Sequence, residues 1–232
     1  MVGRLADDRG LPGSAIALAV LGLVAILSLR IALGELPPRG RRRSLASAAR
    51  ERAAHFRVRF RLPGSMRRLP TLADSRTSAD GWHLVSVPGD PHVLLFDLRI
   101  SRSDTYESST WWAMAACETG LDASPVKVEP RPFVTADPLG PLVIRSTESG
   151  EFDRRYRVRT EDRLFATAFL DQRMIAWMLE QRGGWTFEIG GRWAMVSRPA
   201  IHGTNDIDDR SAMLLAFRQR IPRVVSSMHP SA

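Results

Sequence analysis

Apolar and polar positions fall into three regimes along this chain. From Gly10 to Leu29, "GLPGSAIALAVLGLVAILSL", no charged residue occurs, and apolar character resumes after Arg30 in "IALG". A helix rising about 1.5 Å per residue over that length covers a hydrocarbon core about 30 Å thick. A transmembrane helix is therefore expected over residues 11–34. The run is too long for the apolar region of a secretory signal, and the one small-residue pattern nearby, Ala46-Ser47-Ala48, lies beyond four arginines.

The middle of the chain alternates. Ser44 is placed to cap a short helix through "SLASAARERAAHF". Phe56, Val58, Phe60 and Leu62 then alternate with Arg57, Arg59 and Arg61, which reads as a strand with one apolar face; an extension of the preceding helix is the competing reading. "PGSMRRLPTLADSRTSADG" reads as loop. Three apolar runs follow, "WHLVSV", "HVLLFDLRI" and "TWWAMAAC", the first two joined by Pro88-Gly89-Asp90-Pro91 as a hairpin. "VKVEP", "FVT" and "PLVIR" add shorter extended pieces.

The last third reads mainly as helix. "FDRRYRVRT" is a strand candidate, and Thr160 then opens a helix with Glu161 and Asp162 in its first turn. Phe165, Ala168, Phe169, Ile175, Ala176 and Leu179 keep helical spacing up to Gly183-Gly184. Leu164, Leu170, Met174 and Met178 do not, so a break into two helices is expected at Asp171. "WTFEIGGRWAMVSR" reads as a hairpin turning at Gly190-Gly191. "NDIDDRSAMLLAFRQRIP" reads as an amphipathic helix with Leu214, Phe217 and Ile221 on one face. The expected class is α+β: an N-terminal tail over 1–10, the span, an Arg-rich juxtamembrane segment and loop over 35–80, one α+β domain over 81–223, and a disordered tail over 224–232.

Charge changes the picture only locally. The chain carries a formal +8, yet Leu36 to Arg76 alone holds twelve arginines against Glu51 and Asp74. The rest of the chain is close to neutral. Lys127 is the single lysine among 33 basic residues, a bias that reads first as codon usage. The asymmetry about the span, Arg4 and Arg9 on one side and Arg39, Arg41, Arg42, Arg43, Arg50 and Arg52 on the other, places the N-terminus outside and the domain in the cytoplasm. Arg30, Arg39, Arg41, Arg42 and Arg43 are then expected at the membrane interface, touching anionic headgroups. The lipid bilayer is the expected partner, with a protein partner open and nucleic acid not expected.

The stretch from Glu148 to Ser197 carries an acidic residue, Phe152-Asp153, a basic-aromatic strand with Tyr156 and Val158, a helix opened by Asp162 with Ala166 and Ala168, and a strand pair from Trp185 to Val196. This pattern, with "LLFDLRI" and "RQRIP", resembles a group of bacterial, mostly actinobacterial, single-pass membrane-anchored proteins without an established activity. The resemblance covers about two thirds of the chain, excludes the loop from Pro63 to Gly81, and implies an anchored α+β protein with no assigned chemistry.

Few residues suggest chemistry. His55, His83, His92, His202 and His229 lack metal-ligand spacing, so no metal or cofactor is expected. His83 and His92 are placed to face each other across the hairpin. No nucleophile elbow or phosphate loop occurs, and no catalytic residue is named. Cys117, the single cysteine, sits among small apolar residues and reads as a buried inert thiol. Asp206, Asp208 and Asp209 read as helix-start electrostatics. Glu151 and Asp153 would share a strand face and could do acid–base work, whereas Arg155, Arg157 and Arg159 form the best anion-binding candidate. Trp185 and Trp193, with Arg192 between, could stack bases, though the sheet core is the ordinary destination of tryptophan. The leading reading is a membrane-anchored cytoplasmic binding or scaffolding module. The alternatives are an enzyme centred near Glu151 and Asp153, or anionic lipid or nucleic-acid binding through Arg39 to Arg61.

Overall fold

Leu45, Ala48 and Ala49 recur at helical spacing among arginines, and they bury one face of helix α1 (Arg39–Glu51) while Arg42, Arg43 and Arg50 face solvent. Ala53, at φ 51°, closes the helix in the left-handed conformation, with Ala54 N–H on Ala49 O at 2.8 Å and Ala53 N–H on Arg50 O at 3.1 Å. That hydrogen-bond pair satisfies carbonyls that a helix end otherwise leaves open. The computed structural model describes residues 39–73, 77–102, 109–131, 143–144, 147–199, 203–204 and 206–228. The expected span over 11–34 lies outside them. No helix among the described residues is long and apolar enough to cross a membrane.

The chain divides into two units, 1–39 and 40–232, and the elements described here, from the second residue of α1 onward, belong to the second. After α1 come β1 (His55–Phe60), a 3₁₀ turn (Gly64–Arg68), α2 (Pro70–Ala73), β2 (Thr77–Val87), β3 (Val93–Arg102), β4 (Ser109–Pro130) and β5 (Val143–Ile144). They are followed by α3 (Gly150–Arg155), β6 (Tyr156–Thr160), α4 (Arg163–Phe169), α5 (Gln172–Glu180), β7 (Thr186–Pro199), α6 (Asp206–Arg220) and α7 (Arg223–Met228). The architecture is α+β: an antiparallel sheet with its main helices in the C-terminal part. Strand β4, 22 residues long, is its spine. One edge of β4 pairs with β3 and then β6, end to end, and the other edge pairs with β7 throughout.

Alternation along the strands makes two cores. Ala113, Ala115, Ala194, Val196 and Leu95 face the layer built by α1 and α3 to α7, whose buried residues include Phe152, Phe165, Trp177, Leu214, Phe217 and Val225. Met114, Ala116, Trp193, Met195, Phe96 and Leu98 face the opposite way, onto Met66 and Leu69 of the 3₁₀ segment. The segment read as loop is therefore a lid on the second core. Val225 is buried inside the stretch expected to be a disordered tail.

Local capping explains which expectations hold. Asp171 accepts from Met174 N–H at 2.8 Å, so the helix breaks there as expected. Asp162, rather than Thr160, caps α4 by accepting from Phe165 N–H at 2.9 Å. Ser149 accepts from Phe152 N–H and starts α3, so the strand expected from Phe152 begins only at Tyr156. "VKVEP" is the second half of β4 rather than a separate piece. The hairpin expected at Gly190-Gly191 is a single strand, β7. There a Cβ on Gly190 would meet Arg68 O at 2.3 Å, so the glycine admits the crossing 3₁₀ segment.

Candidate functional site: a charged row beneath the first helix

Cross-strand register sets a row of side chains on the helical face of the sheet. Arg59 of β1 lies opposite Trp82 of β2, Trp82 opposite Asp97 of β3, Asp97 opposite Ala113 of β4, and Ala113 opposite Arg198 of β7. Directly opposed residues of antiparallel strands point to the same face. The guanidinium of Arg59 lies 4.0 Å from the Trp82 ring centroid, and Trp82 meets Trp111 edge-on at 6.2 Å.

Beside this row, β2 carries a register shift between Trp82 and Val85. His83, within the shift, has φ 51°, a left-handed backbone that a non-glycine residue adopts at an energetic cost. Its ring stays on the helical face, stacked on Phe56 at 6.3 Å, with Nδ1 2.9 Å from Asp97 Oδ2. Neither side chain is exposed. Because the Asp97 carboxylate accepts, Nδ1 is the donating nitrogen.

Two helices close over the row. Arg41 of α1 donates to Asp97 Oδ2 at 3.4 Å. Asp206, the first residue of α6, accepts from Arg198 at 3.0 Å and from the buried Arg210 at 2.9 Å. Burial lowers the Arg210 pKa to about 10, against Asp206 and Asp97, which favour its charge, while Arg198 and Arg41 oppose it. Burial likewise lowers that of Arg41, with Asp97 and Asp206 resisting. Arg41, Arg198 and Arg210 thus share one electrostatic neighbourhood with Asp97 and Asp206. At the far end of α1, Arg52 pairs with Asp208 at 2.6 Å and ties α1 to α6.

A second polar cluster lies at the other end of β4. Glu129 receives Arg157 at 2.7 Å, Arg159 at 2.8 Å and Lys127 at 3.1 Å. Lys127 also donates to Thr71 Oγ1 at 3.1 Å, and Thr71 donates its backbone N–H and its hydroxyl to the buried Glu188. Arg157 and Arg159 therefore share one cross-strand carboxylate. Arg155, at the end of α3, points elsewhere and donates to Leu179 O at 2.5 Å and Gln181 O at 3.3 Å.

The other residues singled out in the sequence take these places. Glu151 and Asp153 lie on α3 rather than on a strand, and Asp153 accepts from Thr147 N–H at 2.9 Å and Thr147 Oγ1 at 3.0 Å. His83 and His92 do not meet, since His92 Nε2 sits 2.7 Å from Ser86 Oγ. Asp206, Asp208 and Asp209 fall in the first turn of α6. Arg42 and Arg43 are exposed, Arg41 turns inward, and Arg30 lies outside the described residues. Among the described residues no three His, Cys, Asp or Glu side chains gather as a metal site requires. The row itself went unread in the sequence. Its one visible signal was polarity at the wrong place: His83 inside "WHLVSV" and Asp97 inside "LLFDLRI".

No family model matches the chain, and no curated protein sequence matches it. Among solved structures, the fold is similar to that of the mycobacterial trehalose monomycolate transport factor A, TtfA. The likeness has a TM-score of 0.52 at 11% identity and covers 79% of this chain and 95% of that one. At that identity the likeness is one of fold.

Proposed function

We propose that this chain is a membrane-anchored accessory module that binds a partner rather than transforming a substrate. The observation that carries the reading is the fold shared with a transport factor over 95% of that protein's chain. Fold does not imply function on its own. Two features of the chain point the same way: a long uncharged N-terminal run suited to a bilayer, and carboxylates occupied in structural bonds, with Asp153 on Thr147 and Glu129 on two arginines. On this reading the span holds the module at a membrane with its folded unit in the cytoplasm. Arg30, Arg39, Arg42 and Arg43 then lie within reach of anionic headgroups.

Affinity capture of the tagged full chain from detergent extract, compared with a tagged chain ending at Arg39, tests it. Reproducible enrichment of one membrane protein with the full chain only is expected. Indistinguishable captures would sink the reading. Labelling of Gly3→Cys from outside and of Ser231→Cys only in inverted vesicles, both in a Cys117→Ala background, is the expected topology; the reverse pattern would place the folded unit outside.

A further inference from the structure

We propose that the charged row beneath α1 and α6 binds one oxyanion, a phosphate group, held by Arg41 and Arg198 with Trp82 and His83 at its side. The first support is the kind of atom left over. The Nε atoms of Arg41 and Arg198 and the Nε1 atom of Trp82 are buried without a hydrogen-bond partner among the described residues. Guanidinium and indole N–H groups donate and cannot accept. A ligand that satisfies them must be rich in acceptors.

The second support is charge. The groups facing the row are Arg41 from α1, Arg59 from β1, Asp80 from β2, Asp97 and Arg99 from β3, Arg198 from β7, and Asp206 and Arg210 from α6. Asp80 lies directly opposite Arg99. Arg41, Arg198 and Arg210 then share Asp97 and Asp206, so cations outnumber carboxylates. Buried charge is tolerated when it is paired, and one further anion completes the pairing.

The third support is shape. Ala113, a single methyl, stands in the row between Asp97 and Arg198, whose backbones lie two strand spacings, about 10 Å, apart. A guanidinium fork on each flank suits the tetrahedral oxygens of phosphate. His83 is held in a left-handed conformation beside that gap, as residues at ligand sites often are.

The full chain in detergent micelles, labelled in its histidine rings and titrated with inorganic phosphate at constant pH and ionic strength, tests the proposal. The His83 ring resonances are expected to shift saturably and those of His92 to stay. Arg198→Gln is expected to weaken the response at least tenfold, and Arg163→Gln, at an exposed arginine opening α4, to leave it unchanged. Phosphatidylglycerol added to the same micelles separates the sources: a response tighter than with inorganic phosphate assigns a lipid headgroup, and a weaker one assigns free phosphate. His83 resonances unmoved by both probes, or moved equally by chloride, would overturn the proposal, and that result needs no variant to fold. Partner capture is read independently, so either idea can fail alone.

Discussion

His83 Nδ1 and Asp97 Oδ2 lie 2.9 Å apart, and neither side chain reaches solvent. Asp97 also receives Arg41 from α1, so one carboxylate joins β2, β3 and the first helix. A partner left charged and buried is among the most destabilising outcomes of a substitution. Asp97→Ala should therefore lower the stability of the folded unit by about 3–5 kcal/mol. Asp97→Asn, which still accepts from His83, should lower it by about 1–3 kcal/mol. Urea unfolding followed by tryptophan fluorescence measures both, and equal stability of Asp97→Ala and wild type would show that the pair contributes nothing.

Cys117 lies on β4 between β3 and β7, fully buried. Burial lifts its thiol to about 11, only partly offset by Arg218. The thiolate is the reactive form, and both its scarcity and its inaccessibility suppress reaction. Maleimide should leave the native protein unlabelled at neutral pH and label it promptly in denaturant. Rapid native labelling would mean that β4 opens locally.

The parts of the fold legible in the sequence are those set by neighbours along the chain. Asp171 caps the residues just after it, and Pro88 to Pro91 turn the chain between adjacent strands. What was not legible depends on distant partners. Arg41, His83, Asp97, Arg198, Asp206 and Arg210 meet only because β7 returns beside β4 and α1 and α6 fold over them. Arg155, Arg157 and Arg159 do not share one strand because Ser149 caps a helix that ends at Arg155, dividing the three arginines between two elements. The second glycine pair was misread because a turn and a crossing demand the same residue.

That crossing can be tested at Gly190. A Cβ there would lie 2.3 Å from Arg68 O and 2.9 Å from Arg68 C, and backbone of a covering segment yields poorly. Overpacking of this kind typically costs about 1–3 kcal/mol. Gly190→Ala should reach at least that range and expose Trp193 to quenching, since Met66 and Leu69 would lift from its cluster. Gly64→Ala, whose Cβ would meet nothing within 4 Å, should stay within about 0.5 kcal/mol of wild type. Similar losses in both variants would refute the crossing as the cause.

Glu188 and Glu129 should impose opposite pH trends on stability, although Lys127 lies near both. Burial raises the Glu188 pKa above the usual carboxylate range, and neither Lys127 nor the two donors of Thr71 reverse it. Burial also pushes Glu129 up, but Lys127, Arg159 and Arg157 together bring it below that range. A carboxyl that holds its proton more tightly when folded favours folding at low pH, and this contribution is lost as pH rises through the raised value. For Glu129 the contribution is present above the unfolded pKa and is lost as pH falls through the lowered value. Glu188→Gln, uncharged at every pH and still an acceptor for Thr71, should therefore gain on wild type as pH rises from about 4 toward neutrality. Glu129→Gln should lose ground over the acid range in the same direction of pH change. Carboxylates common to all three proteins cancel in these differences. Urea midpoints measured from the acid range below about 4 up to neutrality decide the matter: two parallel trends would mean that burial, and not the arginine pair, governs both groups.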